Sequence, residues 1–402
     1  LGVSHFLWDD FLRMQYENLF PVVRDVGALP SPKDKAQLAG ELAAASKQAQ
    51  DSAASEQARR AAWRDQINAF KDREMFRVDM RNILNYIPNP ARFSAELTDL
   101  VEVVIEAAYQ RCQEELQAQY GQPLRSDGQP SALSICALGK CGGRELGYAS
   151  DIELMFIYDG NGRTLGPRIT TTAEYYERLV QEVARAIRAR REGIFEIDLQ
   201  LRPYGKAGSL AVSLDGFRRY FGPGGAAWSY ERQSLIKLRP IAGDPALGEE
   251  IETLRDQFVY QGGAFDVAGM RAMRERQIRH LVTPGTINAK YSPGGLVDVE
   301  YLVQGLQIMY GGEDSSLRPC NTGEAMAALA WTGVISAEDH ARLRSAHSFL
   351  QRLIDALRVV RGNNKDLTVP PQESEEFAFL ARRLRYGQNP ALLGIDLSEH
   401  IA

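Results

Sequence analysis

Two carboxylates, Asp151 and Glu153, stand two residues apart in Ser150-Asp151-Ile152-Glu153-Leu154-Met155-Phe156, a run that is otherwise apolar. In a strand, alternate side chains share a face, so both acids are expected to project to one side while Ile152 and Leu154 go to the other. Like charges at that separation repel and raise each other's pKa unless a cation or a proton lies between them. Magnesium is the natural compensation, because it takes one or two carboxylates plus substrate phosphate oxygens. A third acid, Asp198, follows 45 positions after Glu153, in Phe195-Glu196-Ile197-Asp198-Leu199-Gln200-Leu201-Arg202-Pro203. There, alternation would place Asp198 with Glu196, Gln200 and Arg202. If that strand pairs beside the first, Asp198 completes a three-carboxylate cluster suited to two metal ions holding a nucleotide's phosphates.

Just before the first acids runs Gly139-Lys140-Cys141-Gly142-Gly143. Gly139, Gly142 and Gly143 would let backbone N–H groups approach an anion, Lys140 would offer a point charge, and Ser150 a hydroxyl donor. The loop is not a G-x-x-x-x-G-K-[ST] phosphate loop, and it makes no convincing dinucleotide-binding fingerprint.

The elements that must position these residues fall into three regions. Residues 1–120 read as helical, with apolar residues at helical spacing in FLWDDFLRMQYENLF and in ELTDLVEVVIEAAYQRCQEELQAQY. Between them, residues 43–70 are rich in Ala, Gln and charge and read as one long exposed helix anchored by Trp63 and Phe70. GQPLRSDGQPS (121–131) concentrates turn formers and reads as a boundary loop. Residues 121–245 then alternate strand-like runs (131–138, 152–159, 195–203) with a helix between the last two. Residues 246–402 return to helical periodicity in about five segments with short connections, as in a helical bundle.

The chain has 402 residues, 44% hydrophobic and 25% charged, which predicts folded domains, two or three by size. Its net charge is −5, so no general field draws nucleic acid or an anionic membrane. Cys112, Cys136, Cys141 and Cys320 form no C-x-x-C pair and no zinc spacing, which fits reduced, buried thiols in a cytoplasmic protein. No apolar run reaches the about 18 residues needed to span a bilayer. The start at Leu1 suggests a piece of a longer polypeptide.

These motifs resemble the nucleotidyltransferase superfamily that includes DNA polymerase beta, with its G-S, D-x-[DE] and later third acid. More closely, ALGKCGGRELGYASDIELMF, FEIDLQLRPYGKAGSLAVSLDGFRRY, AWSYERQSLIKLRPIAGDP and YSPGGLVDVEYLVQ resemble the glutamine synthetase adenylyltransferase family. The resemblance implies an α+β fold: a polymerase-beta-like nucleotidyltransferase domain with a mixed sheet, flanked by helical regions. It also implies half of a bifunctional chain that acts with magnesium, in two ions, and with ATP or phosphate. Glutamine synthetase is the implied protein substrate, carrying AMP on a tyrosine in the control of nitrogen assimilation, and a PII-type protein is the implied regulator. Adenylylation and phosphorolytic removal use the same in-line displacement, so the acids serve either direction, although ELGY before Ser150-Asp151 resembles the adenylylating half more. Asp151, Glu153 and Asp198 match the metal-binding acids, and Gly139 and Lys140 take the G-S position. Arg202 and Lys206 match residues that could hold phosphates. Asp298 and Glu300 of GGLVDVEY are either a functional contact or charges favoured at a helix N-terminus. Glu153 departs from the family's usual second Asp, and Cys141 from its usual Leu, so a weakened nucleotide-sensing or protein-binding module with the same fold is the rival expectation.

Overall fold

The computed structural model describes residues 27–189, 195–261, 265–361, 365–387 and 389–401. The helical segment expected over 6–20 lies outside them. Three helices lead: α1 (Lys35–Asp51), α2 (Glu56–Ile83) and α3 (Pro90–Tyr120). The single helix expected over 43–70 is two. Ser55 turns to extended backbone and accepts the Ala58 N–H, so its short polar side chain caps α2. Trp63 and Phe70 are buried anchors, as expected. Asn89 caps α3, with Pro90 in its first turn, and Gly121 at φ 75° ends it.

The main sheet orders β5 (Ile197–Asp198), β3 (Ile152–Tyr158), β2 (Leu133–Ala137) and β7 (Arg239–Gly243), while β6 (Ala211–Ser213) also pairs with β3. β2 runs antiparallel to β3 and β7, whereas β5 and β6 run parallel to β3. A small ribbon joins β1 (Gln122–Pro123) to β4 (Thr164–Leu165), so the boundary loop at 121–131 contains paired backbone. β7 escapes sequence reading because Arg-Pro-Ile-Ala-Gly does not alternate. Pro240 is tolerated there because β7 sits at the end of the sheet order, paired with β2 alone. The strand expected over 195–203 shortens to Ile197–Asp198. The Asp198 carboxylate accepts the backbone N–H of Gln200 at 2.7 Å and turns the chain out of the ladder.

Alternation along β2 and β3 divides the core. Ile152, Leu154, Phe156 and Tyr158 join α2, α3 and α5 (Thr172–Ala186) in one cluster. Met155 and Ile157 pack on the opposite face with α6 (Leu214–Phe221) and α8 (Pro245–Tyr260). α8, which lies beyond the boundary expected at 245, is therefore part of the sheet's own layering. α7 (Ser229–Ser234) and α9 (Val267–Leu281) lead to a third cluster. That cluster is built from α10 (Leu296–Tyr310), α11 (Thr322–Trp331), α12 (Ala337–Arg361), α13 (Glu375–Arg383) and α14 (Pro390–Ile401). No described helix is long and apolar enough to cross a membrane.

Candidate active site

The parallel ladder between β3 and β5 sets Glu153 opposite Asp198. Cross-strand partners share a face, and Asp151 lies two residues before Glu153, so all three acids emerge from one side of the sheet. This is the face that carries Met155 and Ile157 farther along β3. Burial raises the Asp151 carboxyl above the usual range, and Glu196 and Asp198 add to the shift, while Arg358 and Lys290 oppose it. Burial also raises Glu153, with Asp198 adding and Lys290 and Lys237 opposing. Two strands thus hold negative charge where it is unfavourable, which is the condition a bound cation relieves.

The glycine loop serves a different purpose from the one its composition suggests. Gly139–Gly142 form a single helical turn, α4, in which the Gly142 N–H donates to Leu138 O and the Gly143 N–H to Gly139 O. Those amides are satisfied within the turn and do not point at a ligand. The Lys140 backbone N–H instead bonds the Glu153 carboxylate. A Cβ on Gly139, at φ 50°, would lie 1.5 Å from Glu153 Oε2. A Cβ on Gly142 would meet Lys237 O at 1.7 Å, and one on Gly143 would meet Cys320 O at 3.1 Å. The glycines bring the backbone close to Glu153 and to the chain leading into β7. Gly139→Ala is expected to lose about 1–3 kcal/mol of stability through left-handed backbone and the carboxylate clash. Urea unfolding checks this, since an unchanged midpoint and slope would refute the clash.

Other expected site residues scatter. Ser150 Oγ donates to Gly147 O and accepts from Gly147 N, both at 3.0 Å, so it staples its own turn. Arg202 is buried, its guanidinium donating to the Gly208, Leu199 and Lys206 carbonyls, so it shapes the loop after β5 instead of presenting itself to phosphate. Lys206 is exposed on the turn Gly205–Ala207. Asp298 and Glu300, both on α10, part company. Asp298 pairs with Arg274 of α9 and accepts the Gly294 N–H at 2.8 Å. Glu300 faces the sheet, 3.6 Å from Lys237, and its carboxyl is held below the ordinary range by Lys237, Lys140 and Lys290 against the effect of burial. Cys141 is a fully buried thiol whose pKa burial pushes up to about 12, so it packs as an apolar residue.

Lys140 reaches a small cavity lined by Glu145, Glu300, Gln351 and Asp355. Burial, together with the positive charges of Arg358 and Lys290, pushes its amine down to about 7 against the pull of Glu300 and Asp355. The folded state then binds fewer protons than the unfolded state between pH about 7 and the free lysine value of about 10.4, so this group makes stability rise with pH across that window. Chemical unfolding of wild type and Lys140→Met at pH 6.5, 8 and 9.5 checks this. The variant is expected to lack the rise, and parallel curves would refute it.

Sequence reasoning missed the cations around the acids. Lys237 is buried and ion-paired with Glu145, which also accepts the Thr322 N–H. Lys290 stands in the turn before α10, its backbone held by Asn288 Oδ1 at 3.0 Å. The signals were present in SLIKLRP and AKYSPGG, next to or inside motifs already singled out, but a lone lysine carries no periodicity.

A mixed sheet with acids on adjacent parallel strands, set among helices, is the organisation of a nucleotidyltransferase domain. Residues 1–254 match the family model for glutamate-ammonia ligase adenylyltransferase, and residues 268–397 match that for GlnD PII-uridylyltransferase. A relative from Xanthomonas campestris pv. campestris (strain B100) is 33% identical over 337 residues, covering 82% of this chain and 35% of the relative. One from Aromatoleum aromaticum is 33% identical over 326 residues, covering 79% and 34%. One from Hahella chejuensis is 32% identical over 300 residues, covering 73% and 31%. All three are named bifunctional glutamine synthetase adenylyltransferase/adenylyl-removing enzyme. This chain belongs to the glutamate-ammonia ligase adenylyltransferase family. It spans about a third of the length of these curated relatives.

Proposed function

We propose that the chain is a magnesium-dependent nucleotidyltransferase unit that transfers AMP from ATP to a tyrosine of glutamine synthetase, or removes it by phosphorolysis. The observation that carries this reading is the register Glu153↔Asp198 with Asp151 on the same face, all against a partly buried sheet. Among the described residues, no three His, Cys, Asp or Glu side chains converge closely enough to cage an ion. Magnesium does not need such a cage, and hard carboxylate oxygens whose pKa values are raised by burial and mutual repulsion suit it. Asp151, Glu153 and Asp198 would hold it, and when bound it would polarise phosphoryl oxygens and neutralise charge on the leaving group.

Asp198 is the base proposed for the tyrosine hydroxyl. Lys206, exposed on its turn, is the phosphate contact in this reading, with Lys290 a cation facing the acids, whereas the Lys140 amine lies in the carboxylate-lined cavity and could reach a phosphate only by leaving it. The three regions 1–120, 121–245 and 246–402, the second extended through α8, a cytoplasmic setting and a PII-type regulator belong to the same proposal. The regulator is supported by the match of the C-terminal helices to a PII-uridylyltransferase model.

The test combines purified chain, magnesium and glutamine synthetase in unmodified and AMP-bearing forms, and follows the AMP mass shift with ATP or with phosphate. Gain from ATP or phosphate-dependent loss supports the reading and assigns the direction. No change in either sample, with ATP still bound, overturns it in favour of a sensing module in which the glycine turn keeps Glu153 occupied.

A further inference from the structure

The turn that delivers Asp151 to the sheet is held from outside the sheet. Tyr148 is gripped on both sides by one helix: its N–H donates to Asp355 Oδ1 at 3.1 Å, and its carbonyl accepts from Arg358 Nη1 at 2.9 Å. Asp355 and Arg358 are three residues apart on α12, so they share a face and reach the same backbone residue. Two other observations point to the same place. A Cβ on Gly147 would lie 2.3 Å from Asp355 Oδ1, so glycine there is what admits the carboxylate. Ala149, the next residue after Tyr148, has φ 53°, a left-handed conformation that a non-glycine residue keeps only where its surroundings impose it. Ser150 then closes on Gly147, the Phe195 N–H donates to Ser150 O at 3.1 Å, and Asp151 follows.

We propose that Asp355 and Arg358 are positioning residues through which the C-terminal helical cluster sets where Asp151 stands. They act on Asp151 through the Tyr148 backbone, and Arg358 also through its charge. The inference rests on the reading of Asp151 as a ligand for the metal and nucleotide, and it places control of that ligand on a helix about 200 residues away in sequence. A movement of α12 is thereby transmitted to Asp151 through one peptide segment, whatever moves the helix.

The test replaces Asp355 with leucine, similar in size but lacking an acceptor, and with asparagine, which keeps one for the Tyr148 N–H. Asp355→Leu is expected to lower kcat about tenfold to a hundredfold, as a misplacement near 1 Å does, with the KM for ATP within about twofold. It should also speed amide hydrogen exchange at 147–152 without changing exchange in α3 or α10. Asp355→Asn is expected to recover most of both effects. If Asp355→Leu does not fold, Gly147→Ala applies the same displacement, because its methyl pushes the carboxylate away while leaving it in the chain. Wild-type kcat and exchange in these variants would overturn the proposal. If wild type shows neither transfer nor removal, the proposed function falls, and the exchange measurement alone decides whether α12 holds the turn.

Discussion

Asp151→Asn is expected to lower AMP transfer or removal by about 10³-fold, roughly 4 kcal/mol of transition-state stabilisation, while leaving the chain folded. The loss should fall on kcat more than on the KM for glutamine synthetase, because a metal-holding carboxylate acts on the charge developed at the phosphorus in the transition state and not on the bulk of the protein substrate. The same carboxylate fixes a pH and metal dependence. Asp151 and Glu153 have raised pKa values in the fold, so the folded state holds those protons more tightly than the unfolded state. Stability from these groups is therefore highest on the acid side and falls as pH rises from the ordinary carboxylate value through the raised one. At neutral pH without metal, wild type carries this unfavourable charge, and magnesium should raise its Tm by binding the folded state. Asp151→Asn should blunt that rise and melt no lower than wild type in chelator. Thermal melts at pH 5 and 7.5, with magnesium and with EDTA, check both statements. An Asp151→Asn protein that keeps full activity, or gains as much Tm from magnesium as wild type, would sink the metal reading.

Lys237→Ala is expected to cost about 3–5 kcal/mol, the usual consequence of removing one partner from a buried ion pair. Lys237 is buried beside Glu145 and Glu300, and its ammonium is held charged above the ordinary lysine range by those two carboxylates against the effect of burial. Glu145 joins three parts of the chain: it pairs with Lys237, which precedes β7, it belongs to the segment after the glycine turn, and it accepts the Thr322 N–H at the start of α11. Truncating the lysine leaves two acids without their main counter-charge. One of them, Glu300, has a pKa held low mainly by that ammonium, so its favourable contribution at neutral pH disappears with it. Lys237→Met, which keeps the stem, separates packing from charge. If charge dominates, it should be nearly as destabilising as alanine. The combined Lys237→Met, Glu145→Leu variant should recover part of the loss, because an apolar pair replaces the buried one. Urea midpoints at constant slope measure all three. A loss below about 1 kcal/mol for Lys237→Ala would show that the cluster is solvated and that the sheet and the helical cluster are not joined through it.

Much of the site was legible because it is encoded over a few residues. Strand alternation has a period of two set by backbone geometry alone, so Asp151 and Glu153 on one face follow from their spacing, whereas Asp198 joins them only through the pairing of β5 with β3. The strands at 133–137 and 152–158, the helix between β4 and β5, and the helical periodicity after 245 were read for the same reason. Ser150 and Arg202 hydrogen-bond within local turns, which residue type alone does not reveal. The glycines announced a close approach but not to what: a carboxylate on the neighbouring strand and a backbone carbonyl preceding β7 take the place expected for phosphate.

The sequence by itself thus determined that Asp151 and Glu153 share one strand face just after a glycine-rich segment, since that depends only on neighbours in the chain; that Asp198 joins them depends on β5 pairing beside β3. Tertiary structure alone decided which cations face those acids and what holds Asp151 in place. Lys237, Lys290, Asp355 and Arg358 come from segments about 80 to 210 positions further along. Electrostatic compensation of a buried charge acts through space over a few ångströms, and no local pattern records which distant side chain the fold will bring there.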